Sequence, residues 1–244
     1  MNASTSLFFQ AFNQSDWLGK AIFLSLLLLS VGSWTLIIHK ILFLSKAQKN
    51  SQAFEEGLKR QRNRLLQIES PQETQDNPFL QIYLILKKQA IELLAKNRHF
   101  AGQRGEQSPP SSLSPRDIDF VEAHVLNEIE NQAQLLERHL YLLSTVTTLA
   151  PFLGLLGTVW GILSSFSEMQ ARAGSNQAVL GGLALALTTT VIGLLIAIPA
   201  LIGYNWLKNR IRSLQSRMSD FSFDLLASIE LQYRQADSAC RLED

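Results

Sequence analysis

The chain has 244 residues and a nearly balanced charge, with 22 lysine and arginine residues against 21 aspartate and glutamate residues, and 46% of its residues are hydrophobic. The net charge of +1 excludes no class of partner, because it averages apolar stretches that carry no charge with polar stretches that carry many. The single cysteine, Cys240, excludes an intrachain disulfide and a metal site built from thiolates.

An apolar stretch near the amino end predicts the first membrane-spanning helix, over residues 18–44. Residues 21–38 carry only apolar side chains together with glycine, serine and threonine. About 20 helical residues, each rising about 1.5 Å, cross the roughly 30 Å hydrocarbon core of a bilayer. A cleaved signal peptide is the alternative, but residues 1–16 lack the basic residues with which signal peptides begin. We therefore expect the first span to be retained, and residues 1–17 are predicted to form a short periplasmic amino end.

The polar region that follows, residues 45–139, predicts cytoplasmic helices. Residues 48–68 and 79–94 both space their apolar side chains as amphipathic helices do. Residues 102–115 are rich in glycine, serine and proline and predict a flexible linker, because they offer too little apolar surface to offset the entropy of ordering. Pro115, followed by Arg116 and Asp117, marks the start of the next helix, and an apolar stripe predicts that this helix runs without a break into the membrane. The stripe consists of Ile118, Val121, Val125, Ile129, Ala133, Leu136 and Leu140.

Two further apolar stretches predict the second and third spans, over residues 140–167 and 178–207, joined by a short periplasmic loop, residues 168–177. Neither span contains an acidic or basic residue. Small residues recur at intervals of three and four in both spans, and such residues let helices approach closely in a bilayer. Packing within one subunit and packing around a shared lumen both fit this pattern. The small residues are Gly154, Gly157, Gly161 and Ser165, then Gly182, Ala186, Thr190, Gly193, Ala197 and Ala200.

The last segment, residues 208–244, predicts a cytoplasmic helical tail. Its apolar positions recur at intervals of three and four, as in the narrow seam between two packed helices. We expect this seam and the stripe before the second span to bury each other. The seam consists of Ile211, Leu214, Met218, Phe221 and Leu225.

The positions of lysine and arginine near the ends of the spans predict the orientation. Residues 40–64 contain seven basic residues and residues 208–217 contain four, whereas the loop at 168–177 contains only Arg172. Positive residues stay on the cytoplasmic side of a membrane. The amino end is therefore expected outside and the carboxyl end inside, with long helices that extend the spans into a cytoplasmic helical bundle. The predicted fold is thus an all-α membrane protein with three transmembrane helices.

The motifs and residue clusters typical of enzymes are not found in the sequence. No G-x-x-x-x-G-K-[ST] phosphate loop occurs. The histidines are scattered, and His124 and His139 are too far apart on the predicted helix to share a metal. The basic run from Lys59 to Arg62 lacks interleaved aromatic residues, which favours anionic lipid headgroups over nucleic acid. We expect no catalytic residue, cofactor, metal or nucleic-acid partner.

Two motifs carry a resemblance to a known family. Residues 150–162, APFLGLLGTVWGI, resemble the second-span signature of the MotA/TolQ/ExbB proton channel family. Residues 190–200, TVIGLLIAIPA, followed by Tyr204 and Asn205, resemble its third-span signature. Residues 33–38, SWTLII, and the short amino end are similar to the TolQ branch more than to the ExbB branch.

The resemblance implies a multi-pass protein of the bacterial inner membrane, a homopentamer within the lipid bilayer. It implies two partners: a TolR/ExbD-like single-span protein whose membrane aspartate carries the proton, and a TolA/TonB-like envelope-spanning protein. Thr158 and Thr190 match the family's two pore threonines. Leu185 stands where many relatives have a glutamate, and the hydroxyls of Thr188 and Thr189 are expected to compensate for that missing group.

The residues themselves also indicate a partner. Threonine does not ionise near neutral pH, and residues 140–167 and 173–207 contain no titratable carboxylate, so a proton that crosses here needs a carboxylate from another protein. Two functional hypotheses remain. One is a stator that uses proton-motive force, either in a Tol-Pal-type system for outer-membrane maintenance and cell division or in ExbB-like energising of TonB-dependent uptake. The other is a non-conducting membrane scaffold.

Overall fold

The computed structural model describes residues 16–60, 66, 77–104, 113–171 and 176–233. The regular secondary structure of this part of the chain lies in five helices. These are α1 (Trp17–Lys59), α2 (Pro78–Arg104), α3 (Pro115–Glu137), α4 (Leu140–Ala171) and α5 (Asn176–Tyr233). The prediction of an all-helical chain is confirmed.

Three of these helices are long and apolar enough to cross a membrane. The candidate spans are Trp17–Leu58, Leu140–Ser167 and Gly182–Tyr233. The three predicted spans therefore exist as helices, while their orientation stays a prediction. Helix α1 continues without a break from the first span to Lys59, so the predicted separate helix at 48–68 is the extension of α1 as far as it is described.

The chain divides into two compact units, and helices α1 and α5 contribute to both. The first, here called the membrane unit, comprises Met1–Ile41 and Arg138–Asn209. One buried apolar cluster of this unit consists of Ile22, Leu26, Ala150 and Ala197. Large apolar side chains elsewhere on the three spans are exposed, as expected of surfaces that face lipid or a neighbouring subunit. They include Leu28, Val31, Phe152, Val159, Val191, Leu195 and Ile202.

The second unit, here called the polar unit, comprises Leu42–Glu137 and Arg210–Asp244. An aromatic cluster lies in its interior, with ring centroids 5.7 Å apart for Phe54 and Tyr83 and 4.8 Å apart for Phe79 and Phe221. Burial raises the pKa of the Tyr83 hydroxyl. Arg217 lies at the edge of this cluster, 3.3 Å from the Glu55 carboxylate and above the Phe79 ring.

The residues of both predicted apolar seams are buried except Ile118, and all of them lie in the polar unit except Leu140, the first residue of α4. On α3 the buried side chains recur every three or four residues, from Val121 to Leu136, and Ile118 at the start of the seam is half-buried. On α5 all five predicted seam residues are buried. The two helices are neighbours, because the Gln215 side chain donates a hydrogen bond to Glu130 at 3.4 Å. The part of the tail beyond Tyr233, with Cys240, lies outside the described residues.

Polar side chains fix the starts of two helices in the polar unit. Asn77 caps α2, since its Oδ1 accepts hydrogen bonds from the amides of Phe79 and Leu80 at 3.2 and 3.3 Å, and Pro78 occupies the first helical position. Ser114 and Asp117 form a reciprocal cap at the start of α3, with the Ser114 amide 2.9 Å from Asp117 Oδ2 and the Asp117 amide 3.3 Å from Ser114 Oγ.

The structure corrects the prediction of one continuous helix from residue 118 into the membrane. Helix α3 ends at Glu137 and α4 begins at Leu140. His139 has a φ of 69°, in the left-handed region, which a right-handed helix cannot pass through. Histidine enters this region more often than most residues, but its presence in a helical pattern does not reveal that it will.

Two predicted connections fall partly outside the described residues. Residues 105–112 of the predicted linker and residues 172–175 of the predicted periplasmic loop are not described. Residues 102–104, predicted to belong to the linker, form the last turn of α2 instead. At its other end the prediction is also wrong, because Leu113 is buried with its amide donating to the Tyr233 carbonyl oxygen at 2.7 Å, and Pro115 begins α3. The residues of the predicted loop on either side of 172–175 are helical and belong to α4 and α5.

Candidate functional site

The second and third spans meet backbone to backbone at two glycines. A Cβ atom added to Gly154 would lie 3.0 Å from the Cα of Thr190 and 3.1 Å from the Thr189 carbonyl oxygen. A Cβ atom added to Gly193 would lie 2.6 Å from the Ala150 carbonyl oxygen and 3.2 Å from the Cα of Gly154. A side chain at Gly193 would collide with the facing backbone, and one at Gly154 would push the facing helix away by a few tenths of an ångström, because atoms in ordinary contact are about 3.5–4.0 Å apart.

The contact continues towards the other end of the two spans. A Cβ atom at Gly157 would lie 2.8 Å from the Cβ of Thr189, and one at Gly161 would lie 2.8 Å from the Cβ of Ala186. A Cβ atom at Gly182 would collide with the side chain of Ser165. The small residues of the two spans therefore face each other within one chain, and Ala197 joins the buried cluster around Ala150 at the opposite end.

Two hydroxyls converge on one backbone carbonyl at this interface. Thr190 Oγ1 donates to the carbonyl oxygen of Gly154 at 3.0 Å. Thr189 Oγ1 lies 3.3 Å from the same oxygen and 2.7 Å from the carbonyl oxygen of Ala186. Interhelical hydrogen bonds of this kind contribute to association inside a bilayer, where water does not compete. Thr189 is buried between the helices, whereas Thr190 remains half-buried at the edge of the contact.

The other two predicted pore threonines bond within their own helices. Thr158 Oγ1 donates to the carbonyl oxygen of Leu155 at 2.7 Å, and Thr188 Oγ1 donates to that of Ala184 at 2.8 Å. Both side chains are half-buried. A hydroxyl has one proton to donate and two lone pairs to accept with, so Thr158, Thr188 and Thr190 each keep acceptor capacity for water or a partner's proton donor.

The structure adds groups that the sequence analysis did not single out. Ala150 supplies a carbonyl at the close approach, and only its place one turn before Gly154 in the stripe could have indicated this. Asp16, just before α1, accepts a hydrogen bond from Ser164 of the second span at 3.0 Å. The indole N–H of Trp160 is buried without an acceptor among the described residues. Those residues contain no group of three side chains arranged to hold a metal ion.

Known proteins match this chain over most of its length. The profile of the MotA/TolQ/ExbB proton channel family matches residues 98–220. The Tol-Pal system protein TolQ of Haemophilus influenzae is 28% identical over 228 residues, which cover 88% of this chain and 90% of that protein. The biopolymer transport protein ExbB of Neisseria meningitidis serogroup A is 30% identical over 221 residues, covering 88% and 93%.

A shorter match has a higher identity. The ExbB protein of Aquifex aeolicus is 42% identical over 91 residues, which cover 36% of this chain and 62% of that protein. The similarities to TolQ and ExbB proteins are nearly equal over the full length, so they do not separate the two branches. With three helices long and apolar enough to span a bilayer, the chain is an integral membrane protein that belongs to the MotA/TolQ/ExbB proton channel family.

Proposed function

We propose that this chain is the TolQ-like conducting subunit of a proton-driven stator in the bacterial inner membrane. Several copies, five by family resemblance, surround the membrane helix of a TolR-like single-span partner. That partner's aspartate carries the proton. The work is done on a TolA-like envelope-spanning protein and maintains the outer membrane during division, as the resemblance to the TolQ branch implies.

One observation carries this proposal: the half-buried hydroxyl of Thr190 donates a hydrogen bond to the Gly154 carbonyl, in two spans that contain no carboxylate and no basic side chain of their own. Hydroxyls and carbonyls can solvate a proton carrier and pass hydrogen bonds to water, but they do not hold a proton at neutral pH. A charged group at this depth is costly and is functional where it occurs. These hydroxyls and carbonyls support the proposal of a proton pathway whose only missing group is a carboxylate, which the partner supplies.

In the proposed mechanism, the partner's aspartate moves between a position that water can reach and a position that is buried. Burial disfavours the ionised carboxylate and raises its pKa, while access to water lowers it again. Each proton that crosses 100 mV releases about 2.3 kcal/mol, so several protons must be coupled to substantial mechanical work. Thr158, Thr188 and Thr190 line the position of the aspartate that water can reach. Thr189 holds the second span against the third.

An ExbB-like energiser of TonB-dependent uptake is the second candidate. It rests on the 30% identity to a biopolymer transport protein over most of both chains. The partner distinguishes the two candidates. Copurification of the tagged chain from native membranes, followed by mass spectrometry, should recover either a TolR-like or an ExbD-like single-span protein. The mass of the intact assembly gives the number of copies.

Proton flux tests conduction directly. We expect the Thr158→Val and Thr190→Val double variant, reconstituted in liposomes with its single-span partner, to lose proton flux driven by a potassium-diffusion potential. Thr145→Val is the matched control, because Thr145 lies nine residues from Gly154, on the opposite side of α4, and bonds the Tyr141 carbonyl at 3.0 Å. Undiminished flux in the double variant would contradict the conducting role and favour the passive scaffold.

A further inference from the structure

Helices α2 and α3 of the polar unit carry opposite charges. Helix α2 contains five lysine and arginine residues and one glutamate, whereas α3 contains six aspartate and glutamate residues and one arginine. The two helices pack against each other within the chain. Each buries one apolar face, so most of the charge is left on the outer surfaces. This pair therefore presents a basic surface and an acidic surface on the same unit.

The outer face of α2 is basic with an apolar centre. Lys88 and Arg98 are exposed, and Ile91 between them is 44% exposed. A shallow open depression lies along this face, lined by Leu84, Lys87, Lys88, Ile91 and Glu92. Neither Lys88 nor Arg98 has an ion-pair partner within the part of the chain that the structure describes. We call this surface the basic face.

One flank of α3 is acidic with an apolar centre of the same size. Asp119 and Glu130 are exposed, and Leu126 between them is 44% exposed. The three lie within about 40° of arc around the helix, given 3.6 residues per turn. Glu130 accepts a long hydrogen bond from Gln215 but has no cationic partner among the described residues, and Asp119 has none either. We call this surface the acidic flank.

The two surfaces match in antiparallel register. Along the basic face, Ile91 follows Lys88 by three residues and precedes Arg98 by seven. Along the acidic flank, read backwards, Leu126 lies four residues from Glu130 and seven from Asp119. At about 1.5 Å per residue the corresponding spacings differ by about 1.5 Å at most. Opposite charges would thus meet at both ends, with one leucine seated in the depression beside Ile91.

We propose that the basic face of one copy of this chain docks on the acidic flank of the next copy. Because the two surfaces are different parts of one chain, the contact is heterologous and repeats around a closed ring. A lipid surface would suit the basic face alone and leave the acidic flank unexplained. This inference rests on the homo-oligomer of the proposed function. It identifies the contact that aligns neighbouring copies through their polar units.

Disulfide trapping between two separately tagged chains tests the contact. Both chains carry Cys240→Ser; one carries Ile91→Cys and the other Leu126→Cys, and they are coexpressed and oxidised in membranes. Only a contact between copies can join them, because each chain has one thiol, and a disulfide requires Cα atoms within about 7 Å. We expect a cross-linked pair that carries both tags. Leu135→Cys is the control, because it is 54% exposed but lies half a turn away from Leu126.

Charge reversal supplies the second arm. Lys88→Glu in the first chain should abolish the cross-link, and Glu130→Lys in the second chain should restore it. The proposed interface is wrong if Leu135→Cys cross-links as well as Leu126→Cys. It is also wrong if no cross-link forms although the intact mass shows several copies. Either result leaves the proposed function unaffected. A monomeric mass overturns both. Binding of the chain to anionic vesicles that depends on Lys88, without a cross-link, assigns the basic face to lipid and also overturns the proposal.

Discussion

Substitution of Gly193 by alanine tests the backbone contact between the second and third spans. The added Cβ would lie 2.6 Å from the Ala150 carbonyl oxygen and 3.2 Å from the Gly154 Cα, both backbone atoms that no rotamer change can move. Van der Waals contact begins at 3.4 Å for such a Cβ atom, so the helices would have to part by about 0.8 Å. The hydrogen bond from Thr190 to Gly154, now 3.0 Å, would stretch to about 3.8 Å and be lost.

These two effects set the expected magnitude. Overpacking costs about 1–3 kcal/mol, and an interhelical hydrogen bond in a membrane contributes about 0.6 kcal/mol more, so we expect Gly193→Ala to destabilise the fold by about 2–3 kcal/mol. Gly32→Ala is the control, since its Cβ would meet nothing within 4 Å. SDS titration of the purified protein in mixed micelles, followed by circular dichroism, measures the difference. Unfolding of both variants at the same SDS fraction would refute the close contact.

Three further predictions concern the segments outside the close contact. His139→Gly should stabilise the fold by about 1 kcal/mol in thermal unfolding, because glycine accepts a φ of 69° without strain, whereas His139→Val should do the reverse. Asn77→Ala should cost about 2 kcal/mol, since it removes the α2 cap and the acceptor of the buried Ser51 hydroxyl, and a smaller loss than Ser51→Ala would contradict this. Burial raises the pKa of Asp117, but hydrogen bonds from Ser114 and Asn97 and the charge of Lys96 outweigh it and hold that pKa below its usual value. The stability that Asp117 adds is therefore complete above about pH 4 and is lost as the pH falls through the lowered pKa, so Asp117→Asn should destabilise the protein at pH 7 and flatten the acid limb of its stability curve.

The spans and the seams were predictable from the sequence because they depend on periodicity and length alone. The seam on α3 from Val121 to Leu136 and the seam on α5 from Ile211 to Leu225 are buried where the three- and four-residue intervals place them. An apolar side chain at such intervals falls on one face of a helix whatever its neighbours are. The start of α3 at Pro115 was also predictable, since proline fits the first helical turn.

The break at His139 and the partner of each glycine were not predictable in the same way. A left-handed histidine leaves no mark in the apolar pattern, so α3 and α4 read as one helix. The glycine stripes showed that something approaches closely, but intervals cannot say whether the approaching helix belongs to the same chain. The contacts of Gly154 with Thr190 and Gly193 answer that for the second and third spans. The roles of the four threonines in conduction remain predictions.

The seam between Gly154 and Gly193 has a mechanical consequence. Sliding one span along the other would drive Thr189 and Ala186 into glycine backbones and strip the Gly154 carbonyl of its two hydroxyls. The second and third spans of one chain should therefore move as a single rigid body. In the proposed stator, displacement would then occur between neighbouring copies and around the partner's membrane helix, and not between these two spans.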